Sequence, residues 1–75
     1  MKKTLCTKTE CGPCHVVKAR LAALNKEINV KNYSLPEDRD FFIKHNIRAV
    51  PRLVIEHDDG RVDIIDGITE IVNNV

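Results

Sequence analysis

The sequence predicts an α/β protein, a small four-stranded mixed sheet carrying three helices in the order β-α-β-α-β-β-α. Short β-prone runs alternate with segments of helical spacing, the first observation behind that reading. The second is a continuous apolar run, Leu53-Val54-Ile55, suited to a strand buried on both faces. The third is Asp58-Asp59-Gly60, a turn signal that folds this run back on Val62-Asp63-Ile64-Ile65.

Each element has its own justification. Lys3-Thr4-Leu5-Cys6-Thr7 is a β-prone run closed by the polar break Lys8-Thr9-Glu10. From Gly12 the pattern is helical: Val17, Leu21 and Leu24 recur at steps of four and three, and Ala19, Ala22 and Ala23 favour helix until Asn25-Lys26. Residues 28–34 alternate apolar and polar, as a half-buried strand does. Pro36-Glu37-Asp38 opens a second helix, with Ser34 as its cap and acids near the positive end of the dipole. Phe41, Phe42 and Ile43 give it an apolar face. Strands are expected near 3–7, 29–34, 52–56 and 62–66, the first and third being antiparallel neighbours at the sheet centre. Beyond Gly67, Ile68, Ile71, Val72 and Val75 recur at helical spacing.

Composition narrows the function classes. With 75 residues, 43% hydrophobic and 31% charged, the chain is expected to be one soluble globular domain over residues 1–75. No apolar run approaches the ~18–20 residues of a membrane span. The start, Met-Lys-Lys-Thr-Leu-Cys, does not read as a signal peptide, so a cytoplasmic location is expected. Residues 1–52 hold 11 of the 12 basic side chains against 5 acidic ones, whereas residues 53–75 hold one against 6. Such polarity suits docking on an acidic partner or anionic small molecule. Scattered bases with no interleaved aromatics argue against nucleic acid. Nothing in the chain points beyond a monomer.

Three cysteines do not make a disulfide scaffold, which wants an even count and export. Two of them form Cys11-Gly12-Pro13-Cys14 where a strand gives way to a helix. There Cys11 meets unpaired N–H groups and the positive end of the dipole, which favour its thiolate. Cys14, one turn inside, is close enough to form a disulfide but more shielded. Cys11 is therefore expected to attack a substrate disulfide and Cys14 to resolve the mixed disulfide. Pro13 stiffens the loop, and Gly12 removes a side chain from the path of a substrate. Lys8 suits the Cys11 thiolate or a substrate carboxylate, and Arg48 and Arg39 add positive charge to the same side. Val50-Pro51 precedes the buried strand, where a proline is unusual. Either it is cis and leaves the Val50 backbone free to pair with an extended substrate, or it is an ordinary trans proline at a strand start.

Two readings of other classes use the same residues. Cys11-x-x-Cys14-His15 satisfies the c-type haem pattern, but that needs an exported chain and a second axial ligand, and Met1 is the only methionine. Zinc held by Cys6, Cys11, Cys14 and His15 would make a structural module, with poor geometry for a ligand directly adjacent to Cys14. Cys6 itself reads as a small buried hydrophobe, His15 as an exposed first-turn residue, and His45 and His57 as surface.

The run Thr7-Lys8-Thr9-Glu10-Cys11-Gly12-Pro13-Cys14-His15-Val16-Val17-Lys18-Ala19-Arg20-Leu21 resembles the active-site segment of glutaredoxins. Arg48-Ala49-Val50-Pro51 resembles their R-x-V-P loop, and Asp66-Gly67-Ile68-Thr69-Glu70-Ile71 their G-G-x-D-D-L segment. The resemblance implies a thioredoxin fold, a cis Pro51 and thiol–disulfide exchange without a prosthetic group. It also implies that Lys8, Arg39, Val50, Pro51, Gly67, Thr69 and Glu70 bind glutathione or a substrate peptide. The Gly-Pro dipeptide is typical of thioredoxins, where glutaredoxins usually carry Pro-Tyr, and Asp66 stands at a family glycine. Ser34-Leu35 with Arg39-Asp40-Phe41 resembles the small redoxins that serve ribonucleotide reductase and take electrons from thioredoxin reductase. The resemblance thus implies a disulfide-containing protein substrate, with glutathione or thioredoxin reductase as electron source.

Overall fold

A computed structural model describes residues 1–75. Strand β1 (Lys2–Thr7) is followed by α1 (Gly12–Ala23), β2 (Asn29–Asn32), a 3-10 turn (Pro36–Asp38) that runs into α2 (Arg39–Lys44), β3 (Arg52–Glu56), β4 (Val62–Ile65) and α3 (Ile68–Asn74). The sheet order is β2-β1-β3-β4. β1 pairs with β2 in parallel and with β3 antiparallel, Leu5 lying between Val30 and Leu53. β3 pairs antiparallel with β4, Val54 opposite Ile64. This mixed sheet with three helices is a thioredoxin-like fold, with β1 and β3 at the centre as the sequence predicts.

Alternation along the two central strands divides the core in two. On one face Leu5, Leu53 and Ile55 pack with Val17 and Leu21 of α1 and Ile71 and Val72 of α3. On the other, Cys6 and Val54 pack with Phe42 of α2 and Ile47. Leu53, Val54 and Ile55 are all buried, as a continuous apolar run on a two-sided sheet requires. In the β3–β4 turn Gly60 has φ +91°, a left-handed conformation that glycine adopts without steric cost.

Several expectations are corrected. β2 stops at Asn32, because beyond it Ser34 N–H donates to Asn32 Oδ1 and Leu35 N–H to Asn32 C=O, turning the chain away. Ser34 is not a helix cap: Leu35 holds the N-cap position of the 3-10 turn, and the Ser34 hydroxyl accepts from Thr9 N–H instead. Leu24 ends exposed because α1 stops one residue before it, and Ile43 lies on the solvent side of the short α2. β2 is an edge strand with Val30 exposed, so its apolar alternation is only weakly rewarded. His45 is half-buried and tilts against Phe41 with ring centroids 4.6 Å apart. His57 is also half-buried, its Nε2 lying 2.7 Å from Asp63 Oδ2 across the hairpin.

Candidate active site

The site lies where β1 delivers the chain to α1. β1 ends at Thr7, whose carbonyl accepts from Tyr33 N–H at 2.9 Å, and Lys8-Thr9-Glu10 form the passage to the helix. Glu10 takes a positive φ of 59°, turning the backbone just before the first cysteine. Cys11 is the N-cap residue of α1 in an extended conformation, and its carbonyl accepts from His15 N–H. A helix start leaves its first amides without partners, and one of them is spent on sulfur: Cys14 N–H donates to Cys11 Sγ at 3.2 Å. Pro13 occupies the first turn, where its missing N–H costs no bond.

Cys11 and Cys14 are joined as a disulfide, their Cα atoms 5.2 Å apart. The two sulfur residues differ in access: Cys14 is fully buried, while Cys11 keeps 6% of its surface open. A Cβ placed on Gly12 would meet nothing within 4 Å, so the space at this residue between the two cysteines is open. When the disulfide is reduced, a thiol at the N-cap with an amide aimed at its sulfur is biased towards thiolate, whereas Cys14 sits behind it. The Val50–Pro51 peptide is cis and Pro51 is buried, as the family resemblance implies.

A groove of about 590 Å³ is lined by Lys8, three residues before Cys11, together with Tyr33, Phe42, Ile47, Arg48, Ala49 and Val50. It brings Lys8, from the passage after β1, together with Arg48 and Val50, from the stretch ahead of Pro51, around one concavity. Two cations over an apolar wall suit an extended, anionic peptide-like ligand.

Other expected binding residues lie elsewhere. Arg39 braces Tyr33: its Nε donates to the Tyr33 carbonyl at 3.0 Å and its guanidinium lies 5.1 Å from the ring centroid. Gly67 is the N-cap of α3 with φ +86°, and Thr69 and Glu70 sit in the first turn of that helix. None of these four residues lines the groove. Asp66 is exposed and pairs loosely with Arg52, at 3.9 Å. The apolar wall of Tyr33, Phe42, Ile47 and Ala49 was not anticipated; the run Ile47-Arg48-Ala49-Val50 ahead of Pro51 carried the signal for part of it.

Cys6 stands apart from the pair. It packs against Phe42, Ile47 and Val54, and burial pushes its thiol up to about 12. His15 is exposed on α1. No three His, Cys, Asp or Glu side chains gather as a metal site, so the zinc set of Cys6, Cys11, Cys14 and His15 does not assemble. No helix is long and apolar enough to cross a membrane.

The Glutaredoxin family model matches residues 4–59, from β1 to the β3–β4 turn. The segment around Gly67, Thr69 and Glu70 falls outside the match. No curated protein sequence matches the chain. Agreement along that span, on the fold and around the cysteine pair, makes this chain a member of the glutaredoxin family and hence a thiol–disulfide oxidoreductase.

Proposed function

We propose that the protein reduces disulfides in other proteins by a dithiol mechanism, with ribonucleotide reductase as the leading substrate. The carrying observation is the Cys14 N–H···Cys11 Sγ bond at the start of α1, with Cys14 fully buried behind the more open Cys11. In the reduced protein the Cys11 thiolate attacks one sulfur of the substrate disulfide. A Cys11–substrate bond forms, and the other substrate sulfur leaves as a thiolate that takes a proton from water. Cys14, deprotonated, then attacks Cys11 Sγ, forming the Cys11–Cys14 disulfide and releasing the second substrate thiol. Two electrons have passed from the pair to the substrate.

Lys8 and Arg48 favour an acidic approach to the pair, and the Val50 backbone beside Pro51 offers strand-like pairing to an extended chain. The Ser34-Leu35 and Arg39-Asp40-Phe41 likeness to redoxins that serve ribonucleotide reductase supports that substrate, with thioredoxin reductase as electron source. A second reading, glutathione as the reductant, is favoured by the same two cations, which suit its carboxylates. Asp66 opposes it, adding negative charge where the family carries glycine.

The test gives the oxidised protein NADPH with thioredoxin reductase in one arm, and NADPH with glutathione and glutathione reductase in the other. Faster turnover of a protein disulfide in the first arm supports the reading. Turnover in the glutathione arm alone replaces it with the second.

A further inference from the structure

The two cysteines are held by a passage that has no regular structure of its own. Lys8, Thr9 and Glu10 carry the chain from β1 to the N-cap, and Glu10 does so at φ +59°. A non-glycine residue in that region persists only where its surroundings enforce it. Those surroundings lie at the end of β2, some 25 residues away in sequence. Thr9 N–H donates to Ser34 Oγ at 3.1 Å, and Asn32 Nδ2 donates to Thr9 Oγ1 at 3.3 Å. Asn32 is itself fixed: its Oδ1 accepts from Ser34 N–H at 2.8 Å, which assigns the amide orientation, and its own N–H donates to Asp38 Oδ2 at 2.9 Å. With Tyr33 N–H donating to the Thr7 carbonyl, residues 7 and 9 are tied down on both sides of Lys8.

We infer that Ser34 and Asn32 are positioning residues for Cys11, clamping Thr9 so that the N-cap sulfur stays on the Cys14 amide and Lys8 stays directed to the groove. Neither side chain touches the sulfur. They act through the backbone: the extended Cys11 conformation depends on how residue 10 enters it, and the Cys14 N–H···Sγ bond depends on that conformation. A slackened passage lets the sulfur leave the amide, and a thiolate without that donor is less stable. The clamp also accounts for Ser34 lying before a helix that it does not cap.

The inference rests on Cys11 being the attacking thiol, and its test needs no partner protein. Reduced wild type, Ser34→Ala and Ser34→Thr are alkylated with iodoacetamide across pH 5–9, and Cys11 modification is followed by mass. Ser34→Ala should lower the Cys11 rate at pH 6 by about two- to tenfold, the scale of one lost hydrogen bond, and move the titration midpoint upward. Ser34→Thr, which keeps the hydroxyl, should restore both. Thr9→Val, which removes the acceptor of Asn32 Nδ2, should shift the midpoint in the same direction and serves where Ser34→Ala does not fold. A lowered denaturation midpoint with an unchanged Cys11 pH profile would make the clamp merely structural and overturn the inference. So would a failure of threonine to restore the profile. Either result leaves the dithiol reading intact, whereas alkylation of Cys14 ahead of Cys11 in wild type would remove that reading instead.

Discussion

Raising the pH from 7 to 10 should destabilise the fold through one group that takes no part in the chemistry. Cys6 lies at 0% exposure among Phe42, Ile47 and Val54, and its thiol is pushed from the ordinary 9.0 to about 12 by burial. Between those two values the unfolded chain has released the Cys6 proton and the native state still holds it. Stability therefore falls as pH rises through 9, and the loss grows until the native thiol ionises near 12. At pH 10, one unit above the unfolded value, the loss is about 1.4 kcal/mol. A domain of this size has a total stability of about 4–11 kcal/mol, so the effect is measurable. The assay is urea denaturation of the fully reduced wild type and Cys6→Ala at pH 7 and pH 10. Tyrosine, lysine and the other two thiols titrate in both proteins and cancel in the difference. Wild type should lose about 1.4 kcal/mol more than Cys6→Ala over that interval. Equal losses in the two proteins would refute the burial argument, and with it the placement of Cys6 in the core on the α2 face.

The central strand and the groove give two further expectations. Leu53→Ala removes a fully buried side chain packed between β1 and the α1–α3 layer, and should cost about 2–5 kcal/mol by denaturant titration; less than about 1 kcal/mol would mean that β3 is not central. Lys8→Glu reverses one of the two cations of the groove and should slow glutathione-dependent turnover by about two- to fivefold, the scale of an exposed ion pair, while slowing turnover with dithiothreitol less. Equal slowing of both would confine Lys8 to the thiolate and remove its carboxylate-binding role.

What could be read from the sequence was what the chain encodes locally. The apolar run 53–55, the Asp-Gly turn and the helical spacing after Gly12 each depend on neighbouring residues, and the structure has β3, the hairpin and α1 at those places. The cysteine pair was legible for the same reason, since its chemistry depends on four consecutive residues at a strand–helix junction. Failures occurred where a distant partner decided the outcome. Ser34 looks like a cap because a helix follows it, yet its hydroxyl goes to Thr9, 25 residues earlier. Arg39 was settled nearer by: Tyr33, six residues earlier, accepts its Nε–H through the backbone carbonyl and holds the guanidinium near its ring. Leu24 lies just past the end of α1 and Ile43 on the solvent side of α2, so neither apolar side chain meets the core. The apolar wall of the groove joins Tyr33, Phe42 and Ile47 across the α2 side of the sheet, an association that only the fold creates.

The central claim is that Cys11 attacks and Cys14 resolves, and Cys14→Ser tests it most directly. The reduced variant is mixed with a protein bearing one accessible disulfide, quenched with acid and examined by non-reducing electrophoresis and mass spectrometry. With the buried resolving thiol replaced, the reaction should stop at its first step. A covalent adduct should accumulate through Cys11, with the substrate's second cysteine free as a thiol. Full-rate reduction of the substrate by Cys14→Ser, or an adduct through Cys6 in place of Cys11, would contradict the account.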